Sequence, residues 1–251
     1  MQIKTDTHIH TVTSVHARPT VEECAAAAKK AGLEAIAITD HCSHKMSQFD
    51  ESVNAILAQE IPPVINGVHM MRGAEIDLVD YKGHLSFYNV PYDSEKTALD
   101  RLCESCDIII ASPHFPAEDR EGSYEERTNM FLGAVADKRV TTIGHPERTW
   151  GDYDMTALAI AAAQNHTFIE LNATSLLRDY RDIIKEQLLL CKRFCCPIIV
   201  NSDAHDAHVI GNFGEVYTLL SEIEFPVSLV ANADYNKLKK ELQIQKELKG
   251  R

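Results

Sequence analysis

A distorted (β/α)7 TIM-like barrel, an α/β fold in one domain spanning residues 1–251, is predicted by three features of this sequence. Short β-rich runs alternate with helical stretches along the chain, which is the pattern of a parallel sheet wrapped by helices. Seven such runs can be counted, one fewer than in the common eight-fold barrel. Side chains of the type that bind metals stand just after the runs, where closed parallel barrels gather their chemistry.

The strands are expected at residues 3–7, 35–39, 70–76, 108–112, 140–143, 167–171 and 198–201. Helix signals fill the gaps. Thr20 with Glu23 makes a capping box before an alanine-rich helix that stops near Gly32, and Ser123 with Glu126 makes a second. Leu99, Leu102, Cys103 and Cys106 follow helical spacing between two strands. Residues 61–92 are the least regular, because Lys82-Gly83 and Pro91 interrupt them, and an extra hairpin fits there. From about Tyr235 to Lys249 the chain turns charged, with Leu238, Leu242 and Leu248 spaced for an amphipathic helix against the barrel exterior.

Size and composition narrow the class. A chain of 251 residues can bury a sizeable core as one α/β domain. Seven cysteines form no dense disulfide framework, and their odd number leaves a thiol unpaired even under oxidation, which favours a reducing cytoplasm. The first six residues lack a secretory signal, and the small-apolar run 157–163 is far too short to cross a bilayer, so no membrane association is expected. A formal net charge of −12 argues against a nucleic-acid groove, since it repels polyanions; a small phosphorylated substrate is not excluded.

The strand ends carry the chemistry. Asp6-Thr7-His8-Ile9-His10 separates two histidines by one residue, which on an extended backbone sends both to one face. Thr39-Asp40-His41, Gly73-Ala74-Glu75, Ser112-Pro113-His114, Gly144-His145-Pro146-Glu147 and Ser202-Asp203-Ala204-His205 follow, with His16 in the first loop. At these positions, from Asp6 to about Gly214, the sequence resembles the polymerase and histidinol phosphatase (PHP) family of metal-dependent phosphoesterases. No single motif is specific, but their ordered combination is.

Carried over residue by residue, the resemblance implies three divalent transition ions held by nine side chains. His8, His10, Glu75 and Asp203 would hold the first; Glu75 would bridge to a second held by His114 and His145; His16, His41 and His205 would hold the third. Glu75, Asp203 and His205 have catalytic roles in this scheme. All nine positions are filled. Three dications against two carboxylates leave a local charge of about four positive, or about three after one bound hydroxide, attractive to a phosphate monoester even in an acidic protein. Metal binding lowers the pKa of water from about 15.7 toward about 7, and a hydroxide between the first two metals would attack phosphorus in line. Imidazoles with two carboxylates suit zinc, manganese or iron better than calcium.

Substrate contacts are expected from Arg18, Arg148 and Arg178, whose guanidinium groups can grip phosphate through paired hydrogen bonds, and from His208 at the pocket rim. Asp6 and Asp40 flank ligand histidines and are expected to orient them as acceptors. Pro113 and Pro146 should shape the strand-end turns that aim His114 and His145, because proline biases its neighbour toward extended geometry. His44, His69, His84 and His166 read as surface or packing residues. Cys103 and Cys106 read as packing, Cys195-Cys196 as buried, and Cys42 as a thiol able to sense oxidants. The leading function is hydrolysis of a small phosphate monoester, histidinol phosphate being the family's best-known one. A phosphodiesterase or 3'-5' exonuclease is the alternative enzyme, disfavoured by the lack of a basic stripe interleaved with aromatics. A metal-binding regulatory module is the non-enzyme alternative. Selectivity would reside in loops 115–124 and 174–180.

Overall fold

The computed structural model describes residues 2–43, 52–114 and 121–250, so His44 and most of the 115–124 loop lie outside the described residues. In chain order the elements are β1 (Thr5–Asp6), α1 (Val21–Ala31), β2 (Ala35–Ile38), β3 (His41–Cys42), α2 (Ser52–Ala58), β4 (Val64–Ile65), β5 (Val68–Asp77), α3 (Ala98–Glu104) and β6 (Ile108–Ser112). They continue as α4 (Tyr124–Ala136), β7 (Thr142–Ile143), α5 (Met155–Asn165), β8 (Phe168–Asn172), α6 (Ala173–Leu176), α7 (Arg181–Phe194), β9 (Ile198–Asn201), α8 (Gly214–Glu222) and α9 (Tyr235–Lys249). Parallel pairing in the order β1-β2-β5-β6-β7-β8-β9 makes a nearly closed barrel of seven strands, the expected (β/α)7 architecture. β3 extends the ladder beside β5, pairing His41 with Glu75. The extra hairpin of the irregular region is β4 against β5, turning through Asn66-Gly67, both at positive φ. That dipeptide suits the two-residue turn whose twist matches its strands.

Side chains complete the seam between β1 and β9. The Asn201 side chain accepts from the Thr7 amide and hydroxyl, and Asp6 accepts from the Ser202 amide. Lower down, the Asn232 amide group donates to the carbonyls of Thr5 and Val200, while its oxygen accepts from the Val200 amide. A parallel bridge between Ile9 and Ala204 closes the upper rim. Backbone groups left over at the open edge would otherwise be buried without partners, which is costly.

Alternation of side chains divides the strands. Ile36, Ile38, Ile109, Ala111, Ile169, Leu171, Ile198 and Val200 belong to the main core between strands and helices. The opposite parity points inward: Ala37, Met71, Ile108, Ile110, Phe168 and Ile199 fill the lower barrel. Two to four residues further on, the same inward rows present Glu75, Ser112, Glu170 and Asn201, all buried. An apolar floor therefore underlies a polar upper layer.

Both expected capping boxes form, Thr20 with Glu23 and Ser123 with Glu126, and Gly32 ends α1 at φ 76°, in the left-handed region open to glycine. A third box, Thr97 with Asp100, starts α3. Helix α9 departs from expectation. Leu238 and Leu242 are buried in the inner cluster beneath the barrel, while Leu248 is 63 % exposed. Polar groups take its place: Gln245 donates to the carbonyls of Thr141 and His166, and Lys249 to that of Val140. The helix closes the lower mouth of the barrel, where strand carbonyls need donors, and does not simply coat the exterior. Cys195 is another correction. It is exposed because it caps α7 at φ 55°, whereas Cys196, Cys42, Cys103 and Cys106 are buried. Among the described residues no helix is long and apolar enough to cross a membrane.

The two leucines of α9 should behave differently under mutation. Leu238→Ala is expected to lower unfolding free energy by about 2–5 kcal/mol. Leu248→Ala should change it by no more than about 0.5 kcal/mol. Urea titration of both variants measures this, and equal losses would contradict the placement of α9.

Candidate metal centre

His8 and His10 extend from β1, Glu75 from β5, His114 and His145 follow β6 and β7, and Asp203 and His205 follow β9; His41 opens β3 and His16 stands in the first loop. All nine converge at the carboxyl ends of the strands. Glu75 lies at the centre with both oxygens engaged. Its Oε1 is 2.7 Å from His145 Nε2, 3.3 Å from His8 Nε2, 3.6 Å from His114 Nε2 and 2.7 Å from the Ser112 hydroxyl that donates to it. Its Oε2 is 2.7 Å from His41 Nδ1 and 3.5 Å from His10 Nε2. Gly144 allows this approach: a Cβ there would stand 2.4 Å from Ser112 Oγ.

Among the described residues, three groups have donor atoms close enough to hold an ion: His8, His10 and Glu75; His41, Glu75 and His114; His10, His41 and His205. His16 joins the last, its Nε2 being 3.2 Å from that of His41 and 2.9 Å from that of His205. His41 thus faces Glu75 as well as the His16–His205 group with which the sequence pattern places it.

Whether a cation fits can be tested on the buried atoms themselves. His8 Nε2 and His10 Nε2 are buried and make no hydrogen bond, and Glu75 Oε2, though 2.7 Å from His41 Nδ1, forms no well-directed one. Buried polar atoms left so are expensive and rare. With Asp203 Oδ1, which is 3.6 Å from His8 Nε2 and 3.3 Å from His10 Nε2, they frame one small volume. A tetrahedral ion bound at about 2.0–2.1 Å holds its donors about 3.4 Å apart. Separations of 3.3–3.6 Å across the group fit that requirement.

Charge follows the same arrangement. Burial alone would raise the Glu75 carboxyl, yet His114, His8 and His41 hold it well below the usual carboxylate range. Asp203, also buried, is held well below by His8, His10 and Arg148. Burial disfavours charge on His8, but Glu170, Glu75 and Asp203 outweigh it and lift the imidazole well above its ordinary value. Burial and His41 drive His10 well below. For His114 burial is again the opposing influence, and Glu75 and Asp77 raise it to about 9. Carboxylates surrounded by imidazoles stay ionised here, as metal ligands must be.

The partners that orient the imidazoles differ from those expected. Glu170 accepts from His8 Nδ1 at 2.7 Å, and Asp77 lies 3.1 Å from His114 Nδ1. Asp6 instead holds the amides of Ser202 and Gly211, and Asp40 holds the first loop by accepting from the Thr11 amide and the Thr11 and Ser14 hydroxyls. Asp40 reaches an imidazole only through the Ser14 hydroxyl, 3.4 Å from His10 Nδ1. For Asp40 the reason is geometric, since the strand neighbour of His41 points to the opposite face; Asp6, two residues before His8, is instead taken up by the amides of the β9 loop. His145 also departs from the expected extended turn, sitting at φ 25°, and Asp203 at φ 56°; these unusual conformations aim both side chains inward.

A pocket of about 390 Å³ opens over the cluster, lined by His16, His41, His114, Asp203 and His205 together with Arg148, Thr174, Arg178, Asp206 and Val209. Of the four residues expected to touch substrate, Arg148 and Arg178 line it. Arg148 also holds Asp203 Oδ2 at 2.8 Å and bonds to Ser175 and Asn172. The Arg18 side chain is 82 % exposed beside Asp206, and His208 is exposed outside the lining. His84 bonds to Asp80, His166 to Glu241, and His69 stacks on Tyr235. Glu170 and Asp77 were missed by the sequence reading. Glu170 carried a usable signal, a carboxylate on the inward row of an otherwise apolar strand.

Known proteins match most of this chain. Residues 6–193 match the family described as the PHP domain, a span that stops short of Asp203 and His205. The sequence is 32 % identical over 249 residues to a probable phosphatase of Acetivibrio thermocellus, covering 98 % of each chain. It is 34 % identical over 239 residues to a probable phosphatase of Caldicellulosiruptor bescii, covering 92 % of each. The fold is similar to that of histidinol phosphate phosphatase from Lactococcus lactis subsp. lactis, crystallised with zinc, L-histidinol and phosphate, at a TM-score of 0.56 and 17 % identity over 90 % of this chain and 95 % of that one.

Acid titration of the metal-free protein checks the charge arrangement. Because the Glu75 carboxyl is held below its ordinary 4.5 in the folded state, the stabilisation it provides is fully present above that pH and is lost as the pH falls through the lowered value. The stability difference between wild type and Glu75→Gln, measured by urea unfolding, should shrink below pH 4.5; growth of the difference on acidification would contradict the assignment.

Proposed function

The chain belongs to the PHP domain family and is a hydrolase of phosphoric esters, and within that class we propose that it cleaves a small phosphate monoester with three divalent transition ions bound by His8, His10, His16, His41, Glu75, His114, His145, Asp203 and His205. The observation that carries this reading is the pair of buried, unbonded ring nitrogens on His8 and His10, set at metal-compatible spacing from Glu75 and Asp203. The whole chain is read as one domain, because Asp203, His205 and the seam residue Asn232 lie beyond the matched segment yet complete the site and the barrel. Zinc is favoured by the imidazole-rich donors and by its presence in the Lactococcus enzyme, and manganese or iron would suit the same donors.

Bound ions of this kind neutralise phosphoryl charge and lower the pKa of water toward neutrality. The protein's own groups do the rest. Glu75 and Asp203, kept ionised by their imidazole neighbours, supply the anionic donors, and Arg148 holds the outer oxygen of Asp203 so that the inner one faces His8 and His10. His205 stands at the pocket wall beside His16, where a departing oxygen would leave toward solvent. Arg178 lines the mouth with no ion pair among the described residues and is free to grip phosphate oxygens. A cavity of about 390 Å³ suits a metabolite-sized ester better than a polymer.

Metal-stripped protein should be inactive on p-nitrophenyl phosphate and recover with zinc, manganese or iron; full activity without metal would end the proposal. Parallel assays on phosphorylated metabolites, bis(p-nitrophenyl) phosphate and single-stranded DNA separate the alternatives, preference for either of the last two favouring a phosphodiesterase. Arg178→Ala should raise KM for the monoester about tenfold or more, the worth of a charge-assisted hydrogen bond. Unchanged steady-state kinetics would remove Arg178 from the substrate site.

A further inference from the structure

Four hydrogen-bond donors converge on the buried carboxylate of Glu170. His8 Nδ1 at 2.7 Å and Asn201 Nδ2 at 2.8 Å approach Oε1, and the His145 amide at 2.8 Å and Asn172 Nδ2 at 3.1 Å approach Oε2. The two asparagines cannot turn their oxygens inward without losing other bonds. Asn201 Oδ1 is held by Thr7, and Asn172 Oδ1 by the Ser175 amide and Arg148. A main-chain N–H is a donor whatever its surroundings. Only an ionised carboxylate accepts at both of its oxygens, so this position requires one.

We infer that Glu170 is a positioning residue: it fixes a proton of His8 on Nδ1, so that Nε2, facing Glu75 and Asp203, is the atom offered to an ion, and it ties that ring to the backbone that carries His145. The inference rests on the phosphatase reading, since the ion concerned is the one proposed between His8, His10, Glu75 and Asp203. Glu170 touches neither pocket nor substrate; it is absent from the pocket lining and 3 % exposed. Its action passes through strands β1, β7, β8 and β9, so a single side chain sets the spacing of ligands that lie far apart in sequence. Glutamine cannot replace it. Whichever way the amide is turned, its NH2 faces two donors, His8 and Asn201 on one side or the His145 amide and Asn172 on the other, so the His8 ring or the His145 backbone must shift.

The test uses full-length protein loaded with zinc. Competition against a chromophoric chelator should show Glu170→Gln binding zinc about 10–100-fold more weakly than wild type. Imidazole 15N spectra should show an exchange-protected Nδ1 proton on His8 in wild type and faster exchange of that proton in the variant. Wild-type zinc affinity in Glu170→Gln, with the His8 Nδ1 proton still protected from exchange, would overturn the inference. Should that variant fail to fold, the wild-type spectrum decides alone: an exchange-protected Nδ1 proton on His8 supports the assignment, and none refutes it. Wild type that takes up no zinc would remove the phosphatase reading together with this one, whereas an active, zinc-loaded wild type beside an unaffected variant would remove only this one.

Discussion

Glu75 at the centre of five imidazoles is the interaction on which the rest of the structure depends. Its two oxygens lie within 3.6 Å of ring nitrogens from His8, His10, His41, His114 and His145, at a depth where water does not reach. Packing so many polar groups together in the interior is unfavourable unless charge and lone pairs are matched. Hydrogen bonds match some of them: Ser112 to Glu75, Asp77 to His114, Glu170 to His8. What they leave without a hydrogen bond, His8 Nε2 and His10 Nε2, faces Glu75 and Asp203 across a gap that a cation would fit.

The barrel is built to hold that layer still. Side-chain amides and carboxylates of Asn201, Asp6 and Asn232 take the place of a missing eighth strand at the β1–β9 seam, so the two strands that carry His8, His10, Asp203 and His205 keep their register. Below, Leu238 and Leu242 pack against the apolar inner residues and Gln245 and Lys249 satisfy the carbonyls at the lower mouth. Above, His145 and Asp203 adopt positive φ, a conformation uncommon for residues with a Cβ. Strain of this sort persists where surrounding structure over-determines it. Here the His145 amide is bonded to Glu170 and the Asp203 carboxylate to Arg148.

Surface and site have opposite electrostatic character. The chain carries a formal net charge of −12, while the pocket holds two arginines and five of the clustered ligand residues. Much of the pocket's attraction for a phosphate would come from bound ions and Arg178, acting at short range where screening is weak, so an acidic exterior is compatible with an anionic substrate. Asp206 on the same wall keeps the mouth from being uniformly basic.

The barrel, both predicted capping boxes and the gathering of His8 through His205 were legible in the sequence, because strand alternation, cap chemistry and ligand residues at strand ends are local patterns. Leu248 was misread because spacing alone does not say which stripe of α9 meets the barrel floor; Lys249 is buried there because three carbonyls need its donors. Asp6 and Asp40 stand next to ligands in sequence but brace backbone, and Glu170 and Asp77 orient rings from other strands. The sequence by itself determined the fold class, the inventory of ligand-type residues and the expectation that they meet. The tertiary structure alone decided which ring faces which oxygen, which carboxylate orients which imidazole, and which arginines border the pocket, because these depend on contacts across strands remote in the chain and on the inward aim of single side chains.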